Sequence, residues 1–231
     1  MRILTLTALL AAGVLLGEHN IAVAGAQTDC ATLGGAVEAD NVCHVRSAGD
    51  SYTMDLRFPT NYADEQAVID YVVQNRDGFT NVAQMPAVRS MPYEMEVTTQ
   101  SFASGPPTGG TQSVVLKLFQ DVGGAHPTTW YKSFNYDVAQ RKPVTFDTLF
   151  APDVKAVNAI FPIVQRDLER QTGLTGVIAT SDGLDPSHYQ NFAVTDDAVI
   201  FFFSQGELLP SDAGATSSSV PRSALPPLAV I

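Results

Sequence analysis

Tyr52-Thr53-Met54-Asp55-Leu56-Arg57-Phe58, closed by Pro59, decides the fold class together with residues 62–82 that follow it. In the heptapeptide apolar and polar residues alternate strictly, the two-residue period of a strand with one buried face. In the next segment Val68, Tyr71, Val72, Asn75, Phe79 and Val82 recur three or four residues apart, which is one face of a helix. Asp64-Glu65 suit the positive end of its dipole. Met85-Pro86 and Met91-Pro92 then interrupt helix formation.

Strand patterns continue on the C-terminal side. Residues 93–102 alternate through Met95 and Val97, and 105–110 are a Gly- and Pro-rich loop. Residues 114–119 are an apolar run suited to a central strand. Residues 128–136 place Trp130, Phe134 and Tyr136 on one face, and a turn at 137–142 leads into Pro143-Val144-Thr145-Phe146. A second helix is predicted over 153–171, with Val157, Ile160, Phe161, Val164 and Leu168 inward and Gly173 past its end. Pro162 lies inside it, so a kink or two shorter helices would both fit. Residues 192–194 and 199–203 read as a hairpin, 206–219 as a small, polar loop, and Val220-Pro221-Arg222 as a short edge strand. The sum is an α+β protein, a mostly antiparallel sheet with two packed helices.

The N-terminal side carries an address. Arg2 precedes an apolar run over 3–16, and Ala22-Val23-Ala24 and Ala24-Gly25-Ala26 follow it. These are the parts of a secretory signal peptide over 1–26, cleaved after Ala24 or Ala26. An N-terminal core helix is the rival, but Gly13, Gly17 and Glu18-His19-Asn20 suit it less well. The run is shorter than the ~20 apolar residues of an anchoring helix. Asp29 precedes Cys30, so a lipoprotein anchor is not supported. A secreted, extracellular protein without a membrane anchor is expected.

Cys30 and Cys43 are the two cysteines. In an exported protein such a close pair reads as a disulfide closing a small loop. The enclosed segment contains Gly34, Gly35 and Ala36 and has little to bury, so the bridge orders what packing would leave mobile. The formal net charge of −11 argues against nucleic acid and anionic membranes. It permits a cationic partner, although solubility is the ordinary reason for an acidic surface. The 45% hydrophobic content supports a sizeable core.

Chemistry is sparse. G-x-S-x-G, S-x-x-K, H-E-x-x-H and phosphate-cradling loops are all absent. Thr145-Phe146-Asp147-Thr148 approaches the T-F-D-D start of polysaccharide deacetylases, but Thr148 replaces the metal-binding aspartate. Trp130 stands where a second histidine would follow His126. Asp182, Asp185, Asp196 and Asp197 lack a calcium-loop pattern and fit turns. No metal or cofactor is expected. Gly123-Gly124-Ala125-His126-Pro127, with Trp130 and Tyr131 nearby, is the candidate binding loop. The duller reading has His126 fixing its own turn and Trp130 in the core.

Several blocks resemble the mycobacterial secreted immunogenic protein family, whose best-known member is a culture-filtrate antigen of the tuberculosis complex. They include Gly123-Gly124-Ala125-His126-Pro127-Thr128-Thr129, Arg141-Lys142-Pro143-Val144-Thr145-Phe146-Asp147-Thr148-Leu149, Tyr189-Gln190-Asn191-Phe192-Ala193-Val194-Thr195 and Gly206-Glu207-Leu208-Leu209-Pro210. The part from about Val114 onward is also similar to the extracellular domain of RsiV-type anti-sigma factors, which sense lysozyme, and to accessory domains of some peptidoglycan deacetylases. The resemblance implies an N-terminal α+β portion over 27–112, an RsiV-like, β-grasp-like portion over 113–226 and a tail over 227–231. It implies a secreted, non-enzymatic antigen and virulence factor acting by protein binding at the host interface. Its partners would be host proteins, with no catalytic residues to carry over and a monomer expected. The alternatives are a lysozyme or cell-wall-fragment binder, which the acidic charge would favour through steering toward a basic partner, and an unrecognised hydrolase.

Overall fold

A computed structural model describes residues 29–86 and 91–230. The signal peptide expected over 1–26 lies outside the described residues. So does the last residue of the expected tail.

Among the described residues, ten strands form two sheets. The larger has seven in chain order: β1 (Ala36–Val37), β2 (Val42–Ala48), β3 (Tyr52–Pro59), β4 (Tyr93–Ser104), β5 (Thr111–Asp121), β6 (Thr128–Asp137) and β7 (Lys142–Pro143). Every neighbouring pair is antiparallel except β3–β4, where Tyr52 faces Tyr93 and Leu56 faces Val97 in parallel register. A parallel pair needs a crossover, and helix α1 (Glu65–Ala83) supplies it. The strand-then-helix stretch is therefore a β-α-β unit set into an antiparallel sheet.

The alternation in β3 has its predicted consequence. Met54, Leu56 and Phe58 are buried beneath α1 with Met95, Val97, Val114, Leu116 and Leu118. From α1 come Val68, Ile69, Val72 and Phe79, whereas Val82 is 39% exposed. The Cys30–Cys43 disulfide is formed and buried in this core, with Cα atoms 5.7 Å apart. Gly35 in its loop lies so close to β2 that a Cβ would stand 2.7 Å from Val45 Cγ2. Among the described residues no cysteine is free.

The smaller sheet has the order β10 (Thr216–Pro221), β9 (Ala198–Phe203), β8 (Phe192–Val194). Short helix α2 (Phe146–Leu149) precedes long helix α3 (Val157–Thr172), and one-turn α4 (Thr180–Gly183) follows. Ile160, Phe161, Val164 and Leu168 of α3 pack with Val199, Phe201, Phe203 and Val220. Each sheet thus has its own long helix, which completes the α+β architecture. α3 starts later than the predicted 153 because Asp153 is left-handed, with φ 68°, a conformation a helix cannot contain. Pro162 lies within an unbroken α3, and Gly173 caps it with φ 73°.

The outer edge of β8 rests on the face of the large sheet, and side chains replace a backbone ladder. Phe192 N–H donates to Ser133 Oγ at 3.0 Å, and Asn135 Nδ2 donates to Phe192 O at 2.9 Å. Val194 N–H donates to Ser113 Oγ at 3.1 Å. Val115, Ala193 and Phe202 form a small apolar seam alongside. Since β5 begins at Thr111, the expected boundary between 112 and 113 falls inside one strand of one sheet.

Candidate functional site

The predicted loop is the β5–β6 connection, whose residues 123–127 are exposed. Gly123 has φ 73°, and its N–H donates to Asp121 Oδ1 at 2.8 Å. His126 is exposed. Trp130 and Tyr131 do not join it as one surface, because consecutive strand residues point to opposite faces. Trp130 turns toward α1, half-buried, and its Nε1 donates to Tyr71 Oη at 3.0 Å. Tyr131 packs on Phe202 with ring centroids 5.2 Å apart, and burial raises the pKa of its phenol.

The edge of β6 leads to a cluster that sequence reading missed. Along 128–135 this edge carries outward N–H groups, which other segments satisfy. Thr129 N–H donates to Gln205 Oε1 at 2.9 Å, Tyr131 N–H to Ser204 Oγ at 3.2 Å and Ser133 N–H to Asn191 Oδ1 at 3.0 Å. Gln205 N–H donates back to Thr129 O at 2.9 Å. The turn Ser204-Gln205-Gly206-Glu207 is thereby clamped to β6. Gly206 adopts φ 80°, Glu207 N–H donates to Ser204 O at 3.0 Å, and Ser204 N–H donates to Glu207 Oε2 at 2.7 Å.

His188 closes the cluster from the 3-10 turn Pro186–Tyr189, with Nδ1 3.8 Å from Glu207 Oε1. Asp185 initiates that turn by accepting from Ser187 N–H at 2.9 Å. The Glu207 side chain is 18% exposed. Burial raises its pKa above the usual carboxylate value, partly opposed by the Ser204 amide, the His188 charge, and the Ser204 and His188 side chains. A carboxyl tuned upward beside a hydroxyl is a better proton acceptor than an ordinary surface carboxylate. The sequence signal was faint: a serine and a glutamate three residues apart around a glycine, with the histidine well upstream.

A second histidine is fully engaged. His44 on β2, 7% exposed, has Nδ1 2.7 Å from Glu38 Oε1 and Nε2 2.8 Å from Asp55 Oδ1. With both ring nitrogens occupied, it holds the disulfide loop to β3 and has no free nitrogen for catalysis. Among the described residues, no group of three or more His, Cys, Asp or Glu side chains is placed to hold a metal ion.

Residues 147–223 match the family profile described as a protein of unknown function, DUF3298. A solved DUF3298 family protein from Pseudomonas aeruginosa PAO1 shares this fold with TM-score 0.51 at 11% identity, covering 83% of this chain and 96% of that one. The chain thus has the α+β fold seen in that DUF3298 protein. It belongs to the family of mycobacterial immunogenic proteins, the secreted-antigen family that its sequence resembles. It is 45% identical to immunogenic protein MPT64 of Mycobacterium tuberculosis H37Rv over 94% of this chain and 95% of that protein. It is 56% identical over the full length of both chains to a protein of the same strain named esterase Rv3036c. That likeness overturns the expectation of a non-enzymatic protein, because a protein this similar over its full length is named an esterase. A quarter of the peptidoglycan-N-acetylmuramic acid deacetylase PdaC of Bacillus subtilis matches half of the chain at 24% identity.

Proposed function

We propose that the chain is an exported carboxylic-ester hydrolase of this antigen family, with Glu207 as general base and Ser204 as nucleophile. The observation that carries this reading is the meeting of a raised-pKa carboxyl, a hydroxyl and an imidazole at the clamped turn. The full-length likeness to a protein named an esterase supports it. Ser204 Oγ accepts from Tyr131 N–H, so its own proton is free to face the Glu207 carboxylate. Glu207 takes that proton as Oγ attacks the ester carbonyl, then gives it to the departing alcohol. The same carboxylate next deprotonates a water that releases the acid and restores Ser204. His188 holds the carboxylate in place.

Purified protein assayed with p-nitrophenyl acetate tests this. Glu207→Gln is expected to lose on the order of 100-fold in kcat/KM. It should also abolish the rise in rate as pH climbs through the elevated Glu207 pKa. Wild-type rates in both Glu207→Gln and Ser204→Ala would remove the site, and absence of ester hydrolysis by the intact protein would remove the function. Mass spectrometry of culture filtrate, expected to show an N-terminus at Gly25 or Gln27, tests the export.

A further inference from the structure

Tyr62, on the approach to α1, is 7% exposed and borders two cavities. The smaller, about 270 Å3, has Ser101 of β4 and Val114 of β5 in its lining. The larger, about 590 Å3, lies at the start of α1, with Asp29, Asp64, Glu65 and Ile69 in its lining. Asn61 and Gln112 line both, and Ala63 N–H donates to Gln112 Oε1 at 3.3 Å. Among the described residues neither Tyr62 Oη nor Glu65 Oε1 has a hydrogen-bond partner, although both atoms are buried. Buried polar atoms are ordinarily paired, because one without a partner is destabilising. Two such atoms on residues lining one cavity mark a place that a ligand completes.

The surrounding charges set the sign of that ligand. Asp29, Asp64 and Glu65 line the larger cavity, and no lysine, arginine or histidine among the described residues does. Asp64 is the N-cap residue of α1, yet its carboxylate makes no capping bond. The helix terminus contributes only about half a positive charge, which the carboxylates outweigh. Burial, then the Asp29 charge, raise the pKa of Glu65; burial, then Asp64 and Tyr136, raise that of Tyr62. Asp29 and Asp64 thus act as negative charges that no base neutralises, and a bound cation relieves them. A metal ion does not fit, since no group of three or more His, Cys, Asp or Glu side chains among the described residues is placed to hold one.

We infer that the larger cavity binds a primary alkylammonium group, the kind a lysine side chain carries. An ammonium is a compact charge with three donors, so it can serve acceptors in different directions, here Glu65 Oε1 and Tyr62 Oη. Its methylene stem lies against Ile69 and the Tyr62 ring, as such stems do on apolar surface. Neither Ser204, Glu207 nor His188 lines this cavity, so the inference stands apart from the hydrolase reading.

The test is a titration of isotope-labelled protein, followed by amide NMR at neutral pH. The probes are pentylamine, the capped peptide acetyl-Gly-Lys-Gly-amide and, as the uncharged control, 1-pentanol. Pentylamine is expected to shift the amides of residues 60–66 and 112 saturably, and 1-pentanol to leave them in place. Shifts with the peptide as well assign the ammonium to a protein lysine; shifts with pentylamine alone assign it to a free amine. Glu65→Gln is expected to weaken pentylamine binding roughly tenfold or more, because it removes a charge-assisted hydrogen bond. Tyr62→Phe is expected to weaken it about threefold and to melt no lower than the wild type, since it deletes a hydroxyl without a partner. No saturable shift at these amides, an equal response to 1-pentanol, or wild-type binding by Glu65→Gln overturns the assignment. A lower melting temperature in Tyr62→Phe also overturns it, because the hydroxyl would then already have a partner.

Discussion

Replacing Ser133 with alanine removes one oxygen, and its effect follows from where that oxygen points. Ser133 Oγ accepts the Phe192 N–H at 3.0 Å, and Phe192 has no exposed surface. In Ser133→Ala that amide is left buried without a partner, a loss of about 1–3 kcal/mol. Asn135 still holds Phe192 O, so β8 stays in place and cannot turn the amide toward water. For a chain of this length each kcal/mol moves Tm by about 2–4 °C, so a mid-range loss lowers it by about 4–8 °C. Urea unfolding followed through the single tryptophan, Trp130, gives the free energy directly. The midpoint should fall with an unchanged slope, because the surface exposed on unfolding is the same. Hydrogen exchange at Phe192 should quicken while the β4–β5 amides keep their protection. A loss below about 0.5 kcal/mol, within the range of ordinary surface substitutions, would refute the idea that side-chain hydrogen bonds hold the smaller sheet.

Three further outcomes are expected. Reducing the Cys30–Cys43 bridge, whose ends are 13 residues apart, should cost about 3 kcal/mol by the chain-entropy estimate; dithiothreitol-treated and untreated melts that coincide would contradict it. The His44 hydrogen bond, then the Arg57, His44 and Arg46 charges, hold the Glu38 carboxyl below its usual pKa against some burial. For Asp55 burial is the largest influence and raises the pKa, but His44, Arg46 and Arg57 together outweigh it and bring it down. Both acids are therefore stabilising above their unfolded values of about 4, and that contribution disappears as pH falls through the lower folded values. The urea midpoint should drop on acidification, and His44→Gln should flatten the drop; equal acid sensitivity in both proteins would refute the clamp. Gly183→Ala places a Cβ 2.0 Å from the Phe161 ring in a buried site, so overpacking should cost about 1–3 kcal/mol, measured by urea unfolding against the wild type.

The elements legible in the sequence are those whose periodicity serves a single core. Residues 52–58 and 62–82 announced β3 and α1 because one face of each meets the same apolar layer. β2 was not legible: Cys43, His44 and Val45 are buried consecutively, so a polar side chain interrupts the expected alternation. β10 was legible only at its end, where Val220 and Pro221 were expected in an edge strand. Thr216 to Ser219 look like loop, yet they pair with Ile200 to Phe203, and β9 supplies the apolar surface they lack. The candidate site was obscure for a related reason. His188, Ser204 and Glu207 come from two turns, and only the docking of the smaller sheet on β6 brings them together. The proposed loop was visible because glycines and proline cluster in sequence, but such clustering reports backbone freedom rather than chemistry.

The parallel pairing of β3 with β4 carries a kinetic consequence. β4, β5 and β6 join through short reversals, so that meander can zip up from neighbours along the chain. β3 can add to it only once α1 has bridged the span from Pro59 to Tyr93, and closing that wider arc comes at a larger entropic toll before any contact rewards it. Order of assembly should therefore run against order of synthesis, with the meander as nucleus and the disulfide-bearing hairpin as a late arrival.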